Sequence, residues 1–282
     1  MSRAPFGERL HAAVVAKGAA LCVGLDPDPA RVPRHLGAGI VGVRRQLLEL
    51  IEATAPSAVA FKPNLAFFEQ LGTDGWQLLT EVMAQGQAKA LVIADAKRGD
   101  VGHTAHAYAS AIYQTLGADA CTVSPYLGWD TLAPFLAWQD RCAFVVCRTS
   151  NPGAADLQSL EVGESGDPLY IHVARLATRW AELGGVGLVT GATWPEELAR
   201  VRQVAPELPF LIPGVGAQGG NLQDAVRAAR GPDGGSPYLV SISRAIAQAS
   251  LGRDFAEAAG LAAREWQLRI KEAEATPASV AS

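Results

Sequence analysis

The sequence predicts a single (β/α)8 barrel, the TIM-barrel class of α/β fold. Eight short apolar or β-branched runs recur along the 282 residues. Most are separated by stretches with apolar residues at helical spacing, such as GWQLLTEVMAQGQA and EELARVRQVAP. No Pro/Ser-rich linker divides the chain. Strict alternation implies parallel strands joined by crossover helices. Eight such units close into a barrel, with an open doubly wound sheet as the main alternative. Length fits one large barrel or two ordinary domains and does not choose between them.

The elements follow in order. MSRAPFGERLHAAVVAKG lacks a signal peptide's apolar stretch and cleavage site and has the pattern of an amphipathic helix. The first apolar run is Leu21–Leu25, and the second, Ala58–Phe61, precedes Lys62. The third and fourth are Ala90–Asp95 and Ala120–Ser124. The fifth, Ala143–Cys147, precedes Arg148, and Val186–Thr190 is the sixth. Phe210–Ile212 and Tyr238–Ile242 complete the set. Two connections exceed what a βα unit needs. One spans Pro27 to about Gly42, and the other, Asn151–Pro168, is rich in Gly, Asp and Ser. Long loops of this kind are functional or disordered, and around a barrel they border the active site. The second is expected to act as a mobile lid. The barrel is expected to cover residues 1–273, with 274–282 as a flexible tail.

Composition narrows the function classes. A formal net charge of −4 gives no basic field for nucleic acid or anionic membranes, though a small anionic substrate needs only a local cation cluster. No apolar stretch approaches the ~20 residues of a membrane span. Cys22, Cys121, Cys142 and Cys147 sit in apolar runs without a CxxC pair, as reduced core residues of a reducing compartment do.

Polar residues cluster where the apolar runs end: Asp26, Lys62, Asp95, Lys97, Ser124, Arg148, Ser150, Ser243 and Arg244. In a barrel these positions converge on one mouth. A single charge after a strand is ordinary loop polarity; recurrence strand after strand is not. The densest segment is VIADAKRGDVGHTAHAYA, Val92–Ala109. Side chains alternate along a strand, so Leu91, Ile93, Asp95 and Lys97 share one face. Asp100 follows in the loop. A lysine between two carboxylates stays protonated and can serve as a general acid. A buried ion-pair network at a strand end explains the same segment equally well. Lys62 shares a face with Ala58 and Ala60, and Asp26 with Cys22 and Gly24, so both are placed at the same rim.

The second cluster is PFLIPGVGAQGGN, Pro209–Asn221. Its glycines let backbone N–H groups approach an anion. In barrels the loops after strands seven and eight commonly hold phosphate. Here these are the Gly-rich loop and Ser243-Arg244, and arginine's planar fork matches phosphate oxygens. His103 and His106, three apart on an expected helix, lack further zinc ligands and are expected at the surface or an interface.

DAKRGD with the following HTA resembles the D-x-K-x-x-D signature of the orotidine 5′-phosphate decarboxylase family. FKPN, TSNPG, PGVGAQGG and SR resemble its other landmarks in the right order, from Leu21 to Ile246, and the loops are similar to those of a bacterial subgroup. The resemblance implies decarboxylation of orotidine 5′-phosphate to uridine 5′-phosphate in de novo pyrimidine synthesis, in the cytoplasm and without metal or organic cofactor. It implies a homodimer with shared sites. Lys97 is then the proton donor to C6 and Asp95 the carboxylate set against the departing one. Lys62 and Asp26 hold the ribose hydroxyls and complete the charged array, while Asp100 and Thr104 reach the neighbouring subunit's site. Ser150 reads the pyrimidine edge, Gln218 bridges base and phosphate, and Arg244 clamps the phosphate beside Pro213, Gly214, Gly219 and Ser243. Metal-dependent relatives share the D-x-K-x-x-D signature, but they carry a metal-binding Glu near the end of strand two, where this chain has Lys62. A phosphate-binding barrel without catalytic activity is the more distant alternative.

Overall fold

The computed structural model describes residues 3–216, 219–231 and 235–275. Eight parallel strands close into a barrel in sequence order: β1 Leu21–Leu25, β2 Ala60–Pro63, β3 Leu91–Arg98, β4 Ala120–Val123, β5 Cys142–Arg148, β6 Val186–Thr190, β7 Phe210–Ile212 and β8 Tyr238–Ile242. β8 pairs with β1 through Leu21 opposite Val240. The outer ring holds α2 Gly39–Thr54, α3 Gly72–Gln87, α4 Gly102–Ser110, α5 Leu169–Trp180, α6 Pro195–Val204, α7 Leu222–Arg230 and α8 Phe255–Ala275, while α1, Phe6–Lys17, precedes the first strand. Between β4 and β5 the crossover carries only a 3-10 turn, Trp129–Thr131, and a short helix, Ala133–Leu136. No helix among the described residues is long and apolar enough to cross a membrane.

The alternation of side chains sorts the core into two bodies. Cys22, Ala60, Leu91, Ile93, Ala120, Cys142, Phe144, Val189, Leu211 and Leu239 fill the barrel interior. Leu21, Val23, Phe61, Val92, Ala94 and their equivalents face the helices. Ala58 departs from the expected alternation: it packs in the outer core and Val59 in the inner one, because β2 begins only at Ala60. Phe6 and Leu10 of α1 plug the bottom of the barrel, with Phe6 edge-on to Phe144 at 5.8 Å. Asp119 anchors that plug. Its carboxylate accepts Arg9 Nη1 at 2.6 Å and the backbone N–H of Val92 at 2.8 Å. With α1 against its base, the barrel presents the polar groups that end its strands at the opposite, C-terminal mouth.

Three expectations need correction. Strands β2, β3 and β5 run beyond their apolar runs to include Lys62, Lys97 and Arg148: β2 keeps its register with β1 through Lys62, whereas β3 and β5 resume pairing after register shifts, at Arg98 and Arg148. The two long connections, open to disorder in the sequence, carry short ordered elements. The first carries the 3-10 turns Pro29–Arg31 and Arg34–Leu36. The second carries the turn Pro152–Ala154, the helix Ala155–Gln158 and a ladder between Glu161–Val162 and Asp167–Pro168. Finally, α8 includes Glu274, which the expected tail began with. Glu274 Oε1 accepts the Tyr238 hydroxyl and its carbonyl accepts Arg230, which keeps the helix going. Residues 276–282 lie outside the described residues.

Arg202 of α6 ties together the loops that feed β7 and β8. It is 1% exposed. Its guanidinium donates to the carbonyls of Ala229 (2.6 Å), Ala205 (2.9 Å), Leu208 (2.7 Å) and Pro237 (2.9 Å), and lies 3.5 Å from the centre of the Phe210 ring. Each buried carbonyl left without a donor costs about 1–3 kcal/mol. Arg202→Met should therefore lower the unfolding free energy by at least about 3 kcal/mol in a urea titration. A loss under about 1 kcal/mol would show that water replaces the guanidinium.

Candidate active site

At the mouth, one carboxylate holds the polar groups together. Asp95 Oδ2 accepts Lys62 Nζ at 2.8 Å, and Oδ1 accepts Lys97 Nζ at 2.6 Å and Thr122 Oγ1 at 2.9 Å. The side chains of Asp95 and Lys62 are 11% and 8% exposed, that of Lys97 53%, so Lys97 stands at the open end. β2 places Lys62 by continuing past Phe61, with Gly24 of β1 opposite it. Lys97 has φ 46, the one left-handed non-glycine residue among those described. Such a conformation persists only where its surroundings enforce it. Here the Lys97 N–H donates to Thr122 Oγ1 at 2.9 Å.

The charges set each other's protonation. Burial by itself would raise the Asp95 carboxyl, but Lys62 and Lys97 outweigh it and hold that group well below its ordinary value. Burial would lower the Lys62 ammonium, but Asp95 and Asp26 outweigh it and hold it above the usual lysine range. Cys22 lies near this pair on the inner face. Burial pushes its thiol up to about 12, so it is neutral and inert near neutral pH.

Asp26 joins from β1's end. Ser243 Oγ donates to its Oδ2 at 2.6 Å, while its Oδ1 is buried without a partner among the described residues. Gly24 permits this approach of strands one and eight, since a Cβ there would lie 2.6 Å from Ser243 Cβ. The Gly-rich loop after β7 closes on itself: Gly216 N–H donates to the Gly220 carbonyl (3.1 Å), Gly219 to Gly216 (2.9 Å) and Gly220 to Gly214 (3.2 Å). Those three N–H groups are used within the loop, which narrows the expectation that its glycines offer donors to an anion. Pro213 accepts Ala192 N–H at 2.9 Å. Gln218 lies outside the described residues. Arg244 is exposed where the short helix Arg244–Ala247 begins, and no described carboxylate pairs with it.

The other expected residues fall into place differently. Ser150 packs against Gly191, where a Cβ would come within 3.0 Å of Ser150 Cβ. Asp100 does not flank Lys97. It accepts the N–H of Val101 at 2.8 Å, and among the described residues it pairs with no cation of its own chain. The expected carboxylate–lysine–carboxylate sandwich therefore does not form within one chain, because β3 ends and the backbone turns before Asp100. Thr104 lies in the first turn of α4, and His103 and His106 are exposed on that helix. Arg148, grouped with the mouth residues by its position, instead pairs with Glu197 and lies over Tyr170 and Trp194. Its neighbour Thr149 holds Gln158 by bonds of 2.9 Å in both directions, fastening the loop after β5. Among the described residues no group of three His, Cys, Asp or Glu side chains could hold a metal ion.

The family model described as "Orotidine 5'-phosphate decarboxylase / HUMPS family" matches residues 19–259, all eight strands. The chain belongs to the orotidine 5′-phosphate decarboxylase family. It is 46% identical to the orotidine 5′-phosphate decarboxylase of Herpetosiphon aurantiacus over 90% of this chain and 93% of that one. It is 47% identical to the one from Thermomicrobium roseum, over 92% of each. The solved structure of Leishmania donovani OMP decarboxylase superposes with a TM-score of 0.84 at 39% identity, over 97% of this chain and all of that one.

One residue of this candidate site is not marked out by the sequence. Thr122, 1% exposed, bonds both Asp95 and Lys97. The available signal was its place between Ala120 and Ser124 on the inward face of strand four. A pH dependence follows from the buried array. The folded carboxyl of Asp95 sits below its ordinary 3.8, so its stabilisation is complete above that pH and is lost as pH falls further. Urea unfolding of the wild type between about pH 4 and 2 should lose up to about 1.4 kcal/mol per pH unit more than Asp95→Asn, one proton's worth. Parallel curves would mean that Asp95 is not held charged.

Proposed function

We propose that this chain decarboxylates orotidine 5′-phosphate to uridine 5′-phosphate in de novo pyrimidine synthesis, as a cytoplasmic homodimer and without metal or organic cofactor. The observation that carries the reading is Asp95 held between Lys62 and Lys97, with Lys97 open to the mouth. The names of the curated relatives point to the same reaction. The bond from C6 to the carboxylate breaks, CO2 leaves, and the electron pair stays on C6 as a vinylic carbanion. No carbonyl delocalises that pair, so a preplaced cation must stabilise it. The Lys97 ammonium does so and then delivers its proton to C6. Asp95 stands against the departing carboxylate. Lys62 with Asp26, whose Oδ1 has no partner among the described residues, takes the ribose hydroxyls. Ser150 reads the pyrimidine edge. Arg244 clamps the phosphate beside Pro213, Gly214, Gly219 and Ser243, and Gln218 bridges phosphate and base. The Asn151–Pro168 loop closes over the bound nucleotide. Phosphate binding, remote from C6, supplies energy for that closure.

Purified protein should deplete the pyrimidine absorbance of orotidine 5′-phosphate equally with and without a chelator. Folded Lys97→Ala should lose at least about 10²–10⁴-fold in kcat, the scale of a positioned proton donor. Turnover that needs a divalent ion would favour the metal-dependent relatives. No turnover by the wild type would favour a binding barrel.

The dimer reading rests on the surface beside Asp100. Val101, Tyr126 and Trp129 are 57%, 81% and 50% exposed, and the Trp129–Thr131 turn lies against α4. Asp100 and Thr104 then serve the partner's site. Mixing inactive Lys97→Ala and Asp100→Ala chains should restore about a quarter of wild-type activity, because half the dimers become mixed and each carries one intact site. No recovery, with exchange confirmed by mass labelling, would place Lys97 and Asp100 of the same chain in the same site and overturn the shared-site reading.

A further inference from the structure

We infer that Thr122 is a positioning residue for this chemistry: one hydroxyl sets both the Asp95 carboxylate and the backbone of Lys97. The inference rests on the decarboxylase reading above. The strand register shows why such a group is needed. β3 and β4 pair at Ala94 opposite Cys121 and again at Arg98 opposite Val123. Between these pairs Asp95, Ala96 and Lys97 stand opposite Thr122 alone. An excess of this kind is a bulge, and a bulge re-aims side chains while breaking the ladder. It turns Lys97 into the left-handed region at φ 46, so that its ammonium doubles back onto Asp95 two residues earlier.

The broken ladder would leave the Lys97 N–H without a strand partner. Thr122 Oγ1 takes that place, accepting the N–H at 2.9 Å. A hydroxyl has one proton and two lone pairs. The proton goes to Asp95 Oδ1, also at 2.9 Å. The same Oδ1 accepts Lys97 Nζ, while Oδ2 accepts Lys62. Thr122 thus fixes the plane of the carboxylate between the two ammonium groups and fixes the turn from which the proton donor projects. Thr122 is itself buried, at 1% exposure. Loss of the hydroxyl leaves every charge present but lets Lys97 and Asp95 drift, and a drift of about 1 Å can cost 10²-fold in rate.

Thr122→Val removes the hydroxyl at nearly constant shape, and Thr122→Ser keeps it. In the Val variant kcat should fall by about tenfold to a hundredfold with KM within about threefold of wild type. The Ser variant should recover most of kcat. Hydrogen exchange reads the same bond without any turnover: the Lys97 amide should exchange at least about tenfold faster in the Val variant and near the wild-type rate in the Ser variant. If Thr122→Val does not fold, Thr122→Ala replaces it in the same comparison. Equal losses of kcat in the hydroxyl-free and Ser variants, or kcat within twofold of wild type with unchanged Lys97 exchange, would overturn the inference. A wild type without turnover would instead defeat the decarboxylase reading, and the exchange rates would still decide whether Thr122 holds Lys97.

Discussion

The organisation of the mouth depends on one buried carboxylate, Asp95. An ionised group at 11% side-chain exposure is costly unless it is paired and hydrogen-bonded. Asp95 satisfies that condition three times, through Lys62, Lys97 and Thr122. The surrounding irregularities follow from this requirement. β2 extends to bring Lys62 across, the β3–β4 ladder breaks to let Lys97 turn back, and Thr122 fills the gap in the ladder.

The rest of the barrel makes this arrangement sustainable. Phe6 and Leu10 close the base over Phe144, and Asp119 ties α1 to the start of β3. Arg202 joins the connections entering β7 and β8 through their backbone carbonyls. These contacts lie away from the mouth and stabilise the strands whose C-terminal ends carry the polar groups. A scaffold rigid at one end allows strained geometry at the other.

Charges divide by depth. The deep ones, Asp95 and Lys62, compensate each other. Those nearer the rim have unused capacity: Lys97 is half exposed, Arg244 has no described carboxylate partner, and Asp26 keeps one oxygen without a partner among the described residues. The proposed substrate, a phosphate ester with a carboxylated ring and a diol, would draw on that remainder. In the proposed reaction the substrate completes an electrostatic arrangement that the protein leaves open.

Much of this was legible in the chain itself. The eight apolar runs identified the eight strands because barrel interiors and helix-facing sides both demand apolar residues, a purely local signal. Period-two alternation placed Asp95 on the inward face, whereas Lys97 comes back to it through a bulge that alternation does not show, and the spacing of DAKRGD carried the family resemblance. Tertiary structure decided what depends on neighbours distant in sequence. Thr122 reads as an ordinary strand residue until β3 bulges against it. Arg148 reads as a mouth residue until Glu197, Tyr170 and Trp194 surround it. Asp100 reads as Lys97's second carboxylate until the turn after β3 separates them. Local pattern fixes which face a side chain takes, whereas the partner that satisfies its charge is supplied by strands and helices that only the closed barrel brings within hydrogen-bond distance.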